Sequence, residues 1–172
     1  MNLVLIGYRG TGKTAVAESL ANDLNLRHVG MDAELVCRFG RGVPEFVEEN
    51  GWDAFRDEES KLARELGLED NLLIDCGGGI IVRDANIEAL RENGRVVWLK
   101  ASVETIVSRI QGDDQRPSLT GTKSFIDEIQ EVLEVRIPLY DKASDFAVDT
   151  DGKSLEEVTR EIREWWIGGD KG

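Results

Sequence analysis

Positive charge is scarce in this chain of 172 residues: 21 Lys+Arg stand against 34 Asp+Glu, for a formal net charge of −13. Such a surface disfavours nucleic acids and anionic membranes, whose phosphates attract basic faces. There is a single histidine, His28, and only two cysteines, Cys37 and Cys76. Two cysteines make no disulfide framework, and their spacing fits no zinc pattern, which points to a reducing cytoplasm. A Ser–His–Asp or Cys–His site would have to be built around His28 alone; nothing near it resembles a nucleophile, so it reads as a structural residue. No apolar run approaches the ~20 residues that span a bilayer. The opening segment, MNLVLIGYRG, has neither a basic stretch nor a cleavage site and does not read as a signal peptide. Internal repeats, low-complexity tracts and linker-like breaks are also missing.

What is present is ordinary globular composition, 41% apolar and 32% charged, in a length that suits one domain. Leu3, Val4, Leu5 and Ile6 form a short continuous apolar run closed by Gly7, as in a strand buried on both faces. Val16, Leu20 and Leu24 then recur at helical spacing. Further strands are expected at 25–29, 72–76, 96–99 and 145–148. Helices are expected at 32–39, 44–49, 52–66, 84–92, 103–110, from Ser124 as cap through 135 and beyond, and at 155–166. Pro44 suits a first helical turn and Asn50-Gly51 a helix end. Strands alternating with helices imply a parallel sheet covered on both faces. The segment 111–123 is polar, aperiodic and long enough to suggest a functional loop. Trp165 and Trp166 read as packing residues, and 168–172 as a frayed tail.

The strongest signal lies between the first strand and helix. Gly7-Tyr8-Arg9-Gly10-Thr11-Gly12-Lys13-Thr14 fits G-x-x-x-x-G-K-[ST] at every fixed position. Backbone N–H groups along Gly10, Thr11, Gly12, Lys13, Thr14 and Ala15, with the positive helix end, form an anion-binding nest for ATP. Lys13 reaches the β- and γ-phosphates, and the Thr14 hydroxyl holds Mg²⁺. The acceptor is a separate question. Asp75-Cys76-Gly77-Gly78 superficially fits the D-x-x-G of a GTPase, but the guanine-reading N-K-x-D is missing. In an open α/β sheet, ligands bind beyond the strands' carboxyl ends, where Asp32, Asp75 and Gly77–Gly79 should meet.

In its ordered set of motifs the chain resembles the shikimate kinase family over nearly its whole length. These are the phosphate loop, Asp32, Phe55-Arg56, Gly77-Gly78-Gly79, Arg116-Pro117 and Arg136-Ile137-Pro138-Leu139-Tyr140. The resemblance implies a three-layer αβα P-loop kinase with a five-stranded parallel sheet, order 2-3-1-4-5, and a lid loop over 111–123. It implies transfer of the γ-phosphate of ATP to the 3-hydroxyl of shikimate, an acid with three hydroxyls, by a cytoplasmic monomer. Arg56 and Arg136 match the positions that grip the carboxylate, a chemistry that suits guanidinium forks. Gly78 and Gly79 would offer backbone N–H groups and room for the ring, within a substrate-binding segment that otherwise spans 32–62. Asp32 matches the acid that binds the ring hydroxyls and is the general-base candidate. Arg116 matches the lid arginine that closes over the phosphates, so that Lys13, Asp32 and Arg116 are the expected catalytic residues. Arg109 and Lys153 match positions beside adenine, Lys153 standing where the family more often has Arg.

More modest roles are available to several of these residues: Arg56 could simply pair with Asp53 or Glu59, and Asp32 could cap a helix. One departure from the family is plain. The common D-x-D after the second strand reads Gly30-Met31-Asp32 here, so the acid associated with Mg²⁺ through water is missing. Asp75, closing an apolar strand, is the candidate replacement. Arg9, Lys13, Arg56, Arg109, Arg116 and Arg136 would make the site locally basic within an acidic protein. A kinase for another small acceptor and a catalytically silent nucleotide binder are the rival readings.

Overall fold

The computed structural model describes residues 1–110 and 125–169. Five strands, β1 (Asn2–Ile6), β2 (Arg27–Gly30), β3 (Leu72–Asp75), β4 (Gly94–Lys100) and β5 (Phe146–Asp149), form one parallel sheet in the order β2-β3-β1-β4-β5. The expected order is the observed one. Central β1 is buried along its whole length, which explains why its sequence is continuously apolar rather than alternating. Leu3 and Leu5 pack on one face with Val16, Leu20, Val158 and Ile162 of α1 (Lys13–Leu24) and α7 (Leu155–Gly168). Val4 and Ile6 pack on the other, against α2 (Met31–Phe39), α3 (Val43–Gly67) and α4 (Asp84–Arg91). A third cluster at the sheet's carboxyl end joins Tyr8 to α5 (Val103–Ile110) and α6 (Phe125–Ala143).

Several boundaries differ from expectation, each for a local reason. β2 begins at Arg27, not Asn25, because Asn25 takes a left-handed conformation (φ 54°) whose N–H caps α1. The two helices expected on either side of Asn50-Gly51 run as one, with Gly51 (φ 84°, ψ 166°) absorbing a kink inside α3. β4 starts two residues early, since Gly94 pairs with Asn2, and a Cβ at Gly94 would lie 2.5 Å from the Leu90 carbonyl oxygen. A short 3-10 turn, Ile80–Val82, follows the glycine run. α7 continues through Gly168, so the expected fraying at that residue is not seen; 170–172 lie outside the described residues, as does the expected cap at Ser124. Trp165 stacks on Phe146 at 5.0 Å and takes the Arg95 guanidinium on its ring at 3.8 Å, a packing role as read.

Asn2 ties three elements together. Its fully buried amide donates to the Leu66 and Glu69 carbonyls at 3.3 and 2.9 Å, while its oxygen accepts from Leu72 N–H at 2.9 Å. Asn2→Ala takes the Asn2 partner from Leu72 N–H, while the Leu66 carbonyl keeps the Glu69 N–H and the Glu69 carbonyl keeps Asn93 Nδ2. The buried unpaired donor is expected to cost about 1–3 kcal/mol. Urea unfolding should show a lower midpoint with an unchanged slope.

Candidate active site

The phosphate loop folds as its glycines allow. Gly10 has φ +80°, and a Cβ there would lie 2.6 Å from Ile110 Cγ2; Gly12, with φ +93°, leads directly into α1. The N–H groups of that helix's first turn have no partners within the helix and point at the loop. Lys13 is buried, its Nζ donating to the Gly7 carbonyl at 2.9 Å and the Tyr8 carbonyl at 3.1 Å. Thr11 Oγ1 donates to the Tyr8 carbonyl at 2.8 Å, closing the turn.

Asp75 ends β3 beside this loop. Thr14 Oγ1 donates to Asp75 Oδ2 at 2.6 Å. Burial pushes the Asp75 carboxyl up from the usual carboxylate range, against the opposing pull of Lys13 and the Thr14 hydrogen bond. Gly30 is its register partner on β2. The pocket over the loop is bordered by Arg9, Lys13, Thr14, His28, Asp32 and Asp75, among others. His28 Nε2 is buried without a hydrogen-bond partner among the described residues, and its ring lies near enough to Asp75 to act on its charge.

A second pocket adjoins the first, bordered by Arg56, Glu59, Arg136, Gly77, Gly78 and Gly79. Arg56 Nη1 pairs with Glu59 Oε2 at 2.7 Å, and its guanidinium lies 5.3 Å from the Trp52 ring centre and 5.4 Å from that of Phe55. The ion pair with Glu59 does not remove Arg56 from the pocket; it fixes the guanidinium within it. A Cβ on Gly79 would sit 2.2 Å from Arg56 Nη2, so glycine is what lets the arginine lie there. Arg136 Nη1 reaches the Gly78 carbonyl at 3.3 Å, and the Tyr140 hydroxyl donates to the same oxygen at 2.5 Å.

Asp32 borders both pockets. It is not the helix cap that the modest reading allowed. Gly30 holds the N-cap position of α2, and Asp32 stands inside the first turn, where the helix dipole favours its negative charge. Arg109 Nη1 donates to the Gly10 carbonyl at 3.2 Å and to Thr150 Oγ1 at 3.3 Å. Lys153 lies three residues beyond Thr150, with its ammonium paired to Glu161 at 2.8 Å. Arg116 and the segment 111–123 lie outside the described residues.

Sequence reasoning missed Glu59 as part of the pocket. Its i,i+3 spacing to Arg56 was visible, but its burial (1% exposed) was not. Burial raises its carboxyl above the usual range, offset by the Arg56 charge and hydrogen bond. Tyr140, read only as the end of the Arg136–Tyr140 motif, and Trp52, read only as a helix start, were not assigned to the site.

A phosphate-binding loop at the carboxyl end of a 2-3-1-4-5 parallel sheet, opening onto a second pocket with two arginines, defines a small-molecule P-loop kinase. The sequence profile of the shikimate kinase family matches residues 9–166. The shikimate kinase of Leptospira biflexa is 35% identical over 176 residues, covering 96% of this chain and 95% of that protein. The enzyme of Pseudomonas fluorescens is 38% identical over 161 residues, 94% and 93% of the two chains. The structure of the Acinetobacter baumannii shikimate kinase in complex with shikimate superposes with a TM-score of 0.93 at 28% identity, covering 99% of this chain and 95% of that one. The chain belongs to the shikimate kinase family.

Proposed function

We propose that this chain, as one kinase unit, transfers the γ-phosphoryl group of ATP to the 3-hydroxyl of shikimate. The observation that carries the reading is the pair of adjoining pockets, one built on the phosphate loop and one on Arg56, Arg136 and Gly77–Gly79, with Asp32 at their junction. The two guanidinium groups take the ring carboxylate. Gly78 and Gly79 leave space and N–H groups for the ring. Asp32 hydrogen-bonds the reacting hydroxyl and accepts its proton as the oxygen–phosphorus bond forms and the bond from phosphorus to the bridging oxygen of ADP breaks. Little basicity is required, because a loose phosphoryl transition state depends mainly on positioning and charge stabilisation. Gly10, Thr11, Gly12, Lys13, Thr14 and Ala15 hold the phosphates, and Arg109 and Lys153 border the adenine; Arg116, the expected phosphate-binding lid arginine, lies outside the described residues.

The donor set also fits a hard divalent cation. Thr14 Oγ1 and the Asp75 carboxylate are adjacent oxygens beside the loop, Asp75 buried and Thr14 open to solvent. Mg²⁺ bound there with ATP would neutralise charge on the β- and γ-phosphates; Thr14 would ligate it and Asp75 hold one of its waters. We further read the protein as a cytoplasmic monomer, with exposed Cys37 and buried Cys76 both free and no described helix long and apolar enough to cross a membrane.

Coupled ADP release on the purified chain tests the reading. Turnover should require shikimate, and gluconate, AMP and CMP should not replace it; ATP binding without shikimate-dependent turnover would overturn it. Arg136→Ala removes one charged fork, so the shikimate KM should rise by about 30-fold, equivalent to about 2 kcal/mol. The ATP KM should stay within about threefold. Equal changes in both constants would remove Arg136 from the acceptor pocket.

A further inference from the structure

Arg9 is the variable third position of the phosphate loop, and no part of the loop's usual chemistry requires a cation there. Its placement is nonetheless specific. Of the described residues, only Arg9 and Asp32 border both pockets. A phosphoryl group passing from ATP to an acceptor hydroxyl must cross that junction. Arg9 forms no ion pair among the described residues, whereas Arg27, Arg38, Arg41, Arg56, Arg83 and Arg91 are all paired. Its Nε is fully buried and has no hydrogen-bond partner among the described residues. The guanidinium lies 5.9 Å from the Tyr8 ring centre and 5.8 Å from that of Phe125, so aromatic faces hold the group without consuming its donors.

We propose that Arg9 is a further catalytic residue, whose guanidinium pairs with the equatorial oxygens of the phosphoryl group in transfer. The inference rests on the proposed kinase reading of the two pockets. As the bond from phosphorus to the bridging oxygen of ADP lengthens and the bond from the acceptor oxygen forms, negative charge spreads over the three equatorial oxygens. Lys13 stands on the ADP side and Asp32 takes the hydroxyl proton, while Arg9 faces the oxygens between them. A fixed fork of N–H donors matches that charge better in the transition state than in bound ATP, where the loop already satisfies the phosphates.

The test compares Arg9→Met and Arg9→Lys with the parent chain. In Arg9→Met, kcat should fall by about 30-fold, below the loss for a fully buried donor because Arg9 is only partly buried. Dissociation constants for shikimate and for ATP, measured by calorimetry, should move by less than about threefold. Binding of ADP with aluminium fluoride and shikimate, which mimics the planar phosphoryl group, should weaken by the same factor as kcat. Arg9→Lys should recover part of both losses. A kcat within about threefold of the parent overturns the proposal, and so does a loss carried by the shikimate or ATP dissociation constant. Should Arg9→Met melt early, Arg9→Lys decides alone: selective weakening of the mimic supports the role, and unchanged mimic affinity overturns it. A parent chain inert towards shikimate overturns the reading of the site itself. An active parent matched by an equally active Arg9→Met overturns only the role of Arg9.

Discussion

Lys13→Met is expected to turn over shikimate at least ~10³-fold more slowly than the parent, a loss of about 4 kcal/mol in transition-state stabilisation. The ammonium is already buried at the mouth of the loop, held by the Gly7 and Tyr8 carbonyls at 2.9 and 3.1 Å. Both acceptors belong to the loop itself, so the charge is positioned before ATP arrives and little reorganisation is needed when it does. Methionine keeps the length and apolar stem but supplies neither charge nor donors. Two neutral acceptors lose their bonds, which should lower stability by only about 1–2 kcal/mol. The acceptor pocket is lined by other residues, so shikimate affinity should hardly change. Steady-state kinetics, calorimetric titration with shikimate and thermal melting separate these effects. A variant keeping more than about a tenth of parental kcat would show that Lys13 does not stabilise the transferred group.

The parts of this molecule that could be read from sequence are those in which one local signal has one structural outcome. Leu3-Val4-Leu5-Ile6, buried on both sides, cannot be amphipathic, and the phosphate loop requires glycines that its motif displays. Order and type of nearly every element followed from such runs. Boundaries did not, because they depend on single backbone conformations. Asn25 leaves the strand to cap α1, and Gly51 bends a helix instead of ending it. At the site, residue identities were legible but their coupling was not. Arg56 pairs with Glu59 and still lines the pocket, because the carboxylate is buried behind it. Burial of that acid depends on residues far apart in sequence, including Gly77, where a Cβ would lie 3.0 Å from Glu59 Oε1 and 2.7 Å from Asp32 Oδ1. Arg9 was legible as one of the cleft's basic residues, but its place at the border of both pockets depends on the same long-range contacts.

The acidic surface and the basic cleft are one design rather than a contradiction. ATP and shikimate are both anions, and a net charge of −13 keeps other polyanions away while Lys13, Arg56, Arg109 and Arg136 concentrate positive potential where the pockets open. Glu59 limits that potential. It leaves Arg56 oriented by a partner and so less free to swing towards solvent, which favours planar two-point recognition of a carboxylate over simple charge attraction.

Asp75→Asn should weaken the apparent Mg²⁺ affinity of the ATP-bound enzyme by about 10²-fold, and adding Gly30→Asp should restore most of it. The argument is geometric. Gly30 and Asp75 are register partners on adjacent parallel strands, so side chains at the two positions leave the sheet on the same face, above Thr14. The family's usual acid is absent at Gly30, and Asp75 supplies a carboxylate one strand away, already bonded to the Thr14 hydroxyl. An aspartate fits at Gly30. Its backbone, φ −86° and ψ 113°, is ordinary extended chain, and among the described residues the only neighbour a Cβ would meet is Ala33 Cβ at 3.8 Å. Gly30 is also the N-cap of α2, a position that aspartate favours. Asparagine at 75 keeps shape and the Thr14 contact but removes the charge proposed to order a metal-bound water. Burial disfavours the ionised form of Asp75, so Asp75→Asn should not lower the stability of the ligand-free protein. Two readouts are needed: the Mg²⁺ concentration giving half-maximal turnover, and the Mg²⁺-dependent gain in ADP affinity by calorimetry, which requires no catalysis. If Asp75→Asn leaves both where they were, Asp75 is a structural acid. If it shifts both and Gly30→Asp recovers neither, the requirement is for a carboxylate on β3 and not simply for negative charge on this face.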